Sequence, residues 1–151
     1  MRTARAEGEV ALTPEAVLRL WTDVSRWSSF VEGFARVLEQ DPEWPAPGAR
    51  LIWESVPAGR GRVTEKATDE TGPDRFSTLV FEDRLAGLQT LRVAESEAGA
   101  RVELSLEYSL TRYGPFGALA DAIFIRRALR DSLRRTLVRF AVEAEEDAGL
   151  R

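Results

Sequence analysis

The chain has 151 residues, of which 44% are hydrophobic and 30% are charged, and its formal net charge is −4 at pH 7. This length and composition predict one globular domain over residues 1–151 with a sizeable buried core. Cysteine and histidine are absent, which excludes disulfides, thiolate or imidazole metal sites, cysteine nucleophiles and histidine-based triads. The negative charge argues against a general nucleic-acid binder, and no apolar run could span a membrane or form a signal-peptide core. We expect a cytoplasmic monomer or homodimer with no metal and no cofactor.

The N-terminal part predicts one strand followed by two short helices. The strand covers residues 7–12, and Thr13-Pro14 is a helix-start signal because a capping hydroxyl precedes a proline of the first turn. A second short helix is expected over about residues 27–33, where Gly33 ends it.

Six further strands are predicted, separated by turns rich in glycine and proline. They cover residues 34–39, 50–56, 62–68, 75–81, 89–94 and 101–110. One of the turns is expected at Ala86-Gly87, and Gly59-Arg60-Gly61-Arg62 is interpreted as a hairpin turn. The last strand alternates most clearly, because Leu106 and Tyr108 point to one side while Glu107 points to the other. This alternation is typical of an antiparallel sheet that is covered on one face.

A long helix from about Pro115 to Glu146 follows the turn Tyr113-Gly-Pro-Phe116. Its broad apolar face comprises Leu119, Ala122, Ile123, Leu129, Leu133, Leu137, Phe140 and Ala144. Such a helix lying across a sheet leaves a wedge of space that suits a small molecule.

Arginines interrupt the apolar face of this helix. Arg126 stands in the middle of the face with Arg130 beside it, so the pattern predicts a buried Arg126. Its guanidinium then meets an acidic side chain of the sheet, reaches water at the cavity edge, or binds a ligand anion. The helix carries six arginines, at positions 126, 127, 130, 134, 135 and 139. They spread around it and are interpreted as a solvated surface rather than as a stripe for nucleic acid or an anionic membrane.

Aromatic and acidic side chains supply further candidates. Trp27, Phe30 and Trp53 are expected to serve the core first, although an apolar ligand would touch one or two of them. Tyr108 faces inward and its hydroxyl needs a partner there, either in the core or on a ligand. Glu54 and Glu65 are candidates to point inward, where each would pair with Arg126 or act as a general base.

The element order, the segment Asp23-Val-Ser-Arg-Trp27, a Pro-Gly pair before the third strand and a Gly-rich turn before the last one resemble the START-like SRPBCC superfamily. Within it, the chain is similar to the bacterial polyketide cyclase/dehydrase-type proteins. The resemblance implies an α+β helix-grip fold: a seven-stranded antiparallel sheet wrapped around a long C-terminal helix, with two short helices after the first strand.

The resemblance also implies that a hydrophobic small molecule, lipid or polyketide-like, binds in a cavity between sheet and helix, with or without catalysis. One alternative is a metal-free polyketide aromatase/cyclase, in which Arg126 or Arg130 and Tyr108 polarise a poly-β-keto chain. Another is a protein-interaction module without a ligand. The predicted ligand-binding residues are Arg126, Arg130, Tyr108, Trp27, Phe30, Trp53, Glu54, Ile123 and Leu133, and no catalytic residue is assigned.

Overall fold

A computed structural model describes residues 2–111 and 118–149, with side chains from Ile123 onward in the second range. Seven strands form one antiparallel sheet in the order β1-β7-β6-β5-β4-β3-β2. The strands are β1 (Arg2–Val10), β2 (Phe34–Gln40), β3 (Arg50–Ser55), β4 (Arg62–Ala67), β5 (Arg75–Phe81), β6 (Leu85–Ser96) and β7 (Gly99–Leu110). The helices are α1 (Pro14–Thr22), α2 (Trp27–Phe30) and α3 (Ala118–Asp147), and a 3₁₀ turn covers Val24–Arg26. This architecture confirms the predicted helix-grip fold.

The start of α1 follows directly from the sequence. Thr13 caps the helix, because its hydroxyl accepts a hydrogen bond from the backbone N–H of Ala16 at 3.3 Å, and Pro14 occupies the first turn. The second helix ends at Phe30, three residues earlier than expected. The predicted turn Tyr113–Phe116 and the predicted helix start at Pro115 lie outside the described residues.

The predicted turn at Ala86-Gly87 is wrong, because both residues lie inside β6, which pairs with β7 from Leu85 onward. Gly87 stands opposite Tyr108, and a Cβ atom added at Gly87 would come within 3.1 Å of the Tyr108 Cβ. The glycine is therefore required by a close approach between two strands rather than by a turn.

An aromatic cluster fills one end of the space between sheet and helices. Phe140 of α3 lies 5.0 Å from Phe30 and 5.5 Å from Trp21 between ring centres, and Trp27 contacts Trp53 at 6.5 Å. The Trp27 indole N–H donates to the backbone oxygen of Trp21 at 2.8 Å, so its polar atom is satisfied inside the cluster. This end of the molecule is closely packed.

Ion pairs hold the C-terminal end of α3 over this cluster. Arg26 contacts Glu143 at 2.8 Å and Asp147 at 2.7 Å, and these hydrogen bonds raise the pKa of Arg26 above its ordinary value. The first half of α3 is different, because Ile123 is 56% exposed and Phe124 is 72% exposed. Among the described side chains, α3 is thus packed from Leu133 onward and more open between Ile123 and Arg130, the part that we call its open half.

Candidate functional site

A cavity of about 910 Å³ lies between the first half of α3 and the inner face of the sheet. Its apolar wall is formed by Leu85 and Leu106 of the sheet and by Ile125, Leu129 and Leu133 of the helix. The loops β3–β4 and β5–β6 surround its mouth. Volumes of about 300–1,000 Å³ with mainly apolar walls are usual for small-molecule sites. The cavity is therefore the leading candidate for a functional site.

A charged pair lies at the mouth of this cavity. Arg60, in the β3–β4 loop, donates a hydrogen bond from its Nε to the Glu82 carboxylate after β5, and both residues line the cavity. The Glu82 side chain is only 6% exposed. The Arg60 guanidinium carbon also lies 5.4 Å from the centre of the Trp53 ring, which adds a cation–π contact. These contacts fix the direction of the Arg60 side chain.

The buried carboxylate of Glu65 accepts a hydrogen bond from Trp53. The Trp53 indole N–H donates to Glu65 Oε2 at 2.8 Å, and the Thr78 hydroxyl donates to Glu65 Oε1 at 2.9 Å. Burial raises the pKa of Glu65 above its ordinary value of 4.5, although both hydrogen bonds and the charge of Arg60 act in the opposite direction. The expectation that Glu65 points inward is confirmed, but its partners are Trp53 and Thr78, not Arg126.

Five of the other predicted site residues fall into three groups. Leu133 lines the cavity. Trp27, Phe30 and Trp53 are buried in the packed core and do not line the cavity, in agreement with their expected core role. The expectation that Glu54 points inward is wrong, because Glu54 is 41% exposed and pairs with Arg36 at 2.8 Å.

Arg126 and Arg130 are both exposed and line no part of the cavity, so the prediction of a buried Arg126 is wrong. Ile125 and Leu129 in the open half of α3, and Ser132 just after it, face the cavity. The side of the helix that is buried further along the chain, to which Arg126 belongs, does not face the cavity here. Ile123, on the same side as Arg126, is exposed for this reason too. A role of these residues in ligand binding stays a prediction.

Tyr108 is fully buried, as expected, and lies outside the cavity wall. Its hydroxyl has no hydrogen-bond partner among the described residues. Burial raises the pKa of Tyr108, while the charges of Arg2 and Arg126 lower it. Neither Tyr108 nor Arg126 lines the cavity, and their joint action on a ligand stays a prediction.

Sequence reasoning missed the Arg60–Glu82 pair. Residues 59–62 were correctly interpreted as a hairpin turn, since they connect β3 to β4. The available signal was an arginine between two turn glycines, which brings a cation to the rim of the sheet. Its acidic partner is 22 positions away in sequence and could not be found from local spacing.

The model of one protein family, described as polyketide cyclase / dehydrase and lipid transport, matches residues 1–145. The chain belongs to this family. No curated protein matches the chain in sequence. Membership suggests a hydrophobic ligand, which agrees with the apolar wall of the cavity.

Within the described residues there is no acidic cluster that could hold a metal ion and no helix long and apolar enough to cross a membrane.

Solved structures share the fold at low sequence identity. StfQ, a di-domain ARO/CYC from the steffimycin biosynthetic pathway, has a TM-score of 0.78 and 14% identity; the match covers 97% of this chain and 51% of StfQ. TTHA0849 from Thermus thermophilus has a TM-score of 0.73 and 21% identity, with 97% and 99% coverage. CV1439 from Chromobacterium violaceum has a TM-score of 0.65 and 18% identity, with 96% and 99% coverage. These likenesses show the helix-grip fold.

Proposed function

We propose that the protein binds a hydrophobic small molecule, lipid or polyketide-like, in the cavity between α3 and the sheet. The observation that carries the proposal is the cavity itself, about 910 Å³ in volume, with leucine and isoleucine side chains from both walls. An apolar body that fills it removes both its own surface and that of the walls from water, at about 25 cal/mol per Å².

Polar side chains also line the cavity. Arg60, Glu82 and Gln89 line the same cavity, so a ligand with a carbonyl, hydroxyl or acidic end can place that end against them. The ligand class that fits is therefore amphiphilic: a long or fused apolar part with polar oxygen at one end. Lipids and polyketides both have this form.

Binding accounts for the structure better than the two alternatives do. A protein-interaction module without a ligand needs no cavity, so a cavity of this size favours ligand binding over that alternative. A cyclase in which Arg126 or Arg130 acts with Tyr108 needs these residues at the ligand, and none of them lines the cavity. The family description and StfQ keep cyclase chemistry within the family, but no observation on this chain's residues favours it.

Native mass spectrometry of the protein purified from its own host tests the proposal. We expect a bound species of a few hundred daltons that dissociates in organic solvent and is identified as a lipid or polyketide. Leu129→Arg puts a cation into the apolar wall and should abolish the bound species, while Val138→Arg makes the same kind of change on an exposed position outside the cavity and should retain it. The proposal is rejected if both variants carry the same amount of bound ligand. It is also rejected if no preparation contains an apolar ligand and the protein binds nothing from a lipid extract.

A further inference from the structure

The exposed side of α3 carries positive charges that the fold does not neutralise. Of its six arginines, Arg135 and Arg139 pair with Glu32 at 2.9 and 2.7 Å. The other four are exposed and have no carboxylate partner among the described residues: Arg126, Arg127, Arg130 and Arg134. At 100° per residue these four fall within an arc of about 100°. The six arginines do spread around the helix, with Asp131 among them, but ion pairing accounts for two and leaves these four on one arc, called here the arginine stripe.

Two large apolar side chains lie at the N-terminal end of this arginine stripe. Ile123 precedes Arg126, Arg127 and Arg130 by three, four and seven positions, which puts it on the same helix face. It is 56% exposed, and its neighbour Phe124, at the edge of the cavity, is 72% exposed. Adjacent apolar side chains of this size, bordered by cations and next to a cavity mouth, indicate an interaction surface.

We propose that the arginine stripe, with Ile123 and Phe124, docks the protein onto the surface of a membrane that contains anionic lipids. Arginines bind lipid phosphates, while an isoleucine and a phenylalanine enter the boundary between headgroups and acyl chains. Phe124 also lines the cavity, so the docking surface adjoins the cavity at this residue. This surface is separate from the proposed function, because docking requires no ligand in the cavity.

The charge distribution favours a membrane over other partners. The whole chain has a net charge of −4, so four unpaired arginines on one arc form a local field opposite to the rest of the molecule. A second copy presenting the same face would bring like charges together. Nucleic acid would use the arginines but would leave Ile123 and Phe124 in water, because phosphate contacts do not bury apolar side chains.

Vesicle flotation tests the proposal with the full-length protein. Vesicles of phosphatidylcholine with about 30% phosphatidylglycerol should bind the protein at least about tenfold more tightly than pure phosphatidylcholine at low salt, and about 0.5 M salt should remove most of this difference. The variant Arg127→Gln, Arg130→Gln, Arg134→Gln should lose at least about tenfold in affinity. Ile123→Ser alone should weaken binding severalfold and keep the salt dependence.

A matched control separates the stripe from net charge. Arg5→Gln, Arg50→Gln, Lys66→Gln removes three exposed cations, none on α3 and none in an ion pair given by the structure, and should bind vesicles like the wild type. Thermal melts confirm that all variants fold. The proposal is overturned if the wild type ignores anionic vesicles, if the two triple variants lose affinity equally, or if Ile123→Ser has no effect while a DNA duplex binds as tightly as the vesicles. Vesicle binding that persists in Ser132→Phe, which fills part of the cavity without adding a charge, shows that docking stands independently of the ligand proposal.

Discussion

Tyr108 and Thr78 are buried hydroxyls that differ in whether they have a hydrogen-bond partner. Thr78 donates to Glu65, whereas the Tyr108 hydroxyl has no partner among the described residues. Tyr108→Phe should therefore keep or raise the free energy of unfolding, by up to about 2 kcal/mol, because a buried polar group without a partner is removed. Thr78→Val should lower it by about 1–3 kcal/mol, since Glu65 loses a donor. Urea unfolding measures both, and a clear loss for Tyr108→Phe would reveal a partner for its hydroxyl.

The raised pKa of Glu65 should make the free energy of unfolding decrease as the pH rises. Its pKa is raised in the folded protein, so above about pH 4.5 the folded state holds a proton that the unfolded state releases. The stability is therefore fully present below the unfolded pKa and falls as pH rises through the folded pKa. Glu65→Gln should flatten this fall, because an amide oxygen can accept from Trp53 while the amide N–H donates to Thr78.

Urea unfolding between about pH 4 and pH 9 measures this dependence of stability on proton binding. The matched control is Glu107→Gln, since Glu107 is exposed on β7 and its replacement should leave the slope unchanged. If Glu65→Gln keeps the wild-type slope, another group sets the pH dependence and the account given for Glu65 fails.

At the scale of elements, hydrophobic periodicity predicted the positions of strands and helices along the chain better than it predicted which of their side chains are buried. The alternation in β7 correctly predicted that Leu106 and Tyr108 are buried and Glu107 is exposed. The same reasoning on α3 correctly placed Leu137 and Phe140 in the core and wrongly buried Arg126. Periodicity defines a helix face but not how far along the helix a partner covers that face. The part of α3 that is covered by other elements ends where the aromatic cluster ends.

The two halves of α3 should therefore contribute very differently to stability. Leu137 is 4% exposed and Ile123 is 56% exposed, and both are aliphatic side chains of the same helix. Leu137→Ala should lower the free energy of unfolding by about 2–5 kcal/mol through a cavity in the core. Ile123→Ala should change it by no more than about 0.5 kcal/mol. Equal losses in urea unfolding would mean that the first half of α3 is packed as firmly as the second.

At the scale of the whole molecule, the sheet order explains why the cavity residues escaped sequence reasoning. The loops β3–β4 and β5–β6 leave the sheet at the same end, because β3 and β5 run in the same direction, and this brings Arg60 next to Glu82. The helix-grip resemblance predicted a cavity between the sheet and the long helix, and the structure has a cavity in that place. The charged rim depends on tertiary contacts between loops, for which a single sequence has no local signal.

The molecule is packed at the aromatic end and open at the cavity end, so binding should be separable from stability. Ser132 lines the cavity from α3, whereas Val138 on the same helix is 60% exposed and outside it. Ser132→Phe should fill part of the cavity and lower the affinity for an apolar fluorescent probe, N-phenyl-naphthylamine, by at least about tenfold, while the melting temperature changes by only a few degrees. Val138→Phe adds a phenyl ring to the same helix and should leave probe binding unchanged. If both variants bind the probe like the wild type, the probe binds elsewhere; if Ser132→Phe unfolds the protein, the cavity end carries more of the stability than its exposure indicates.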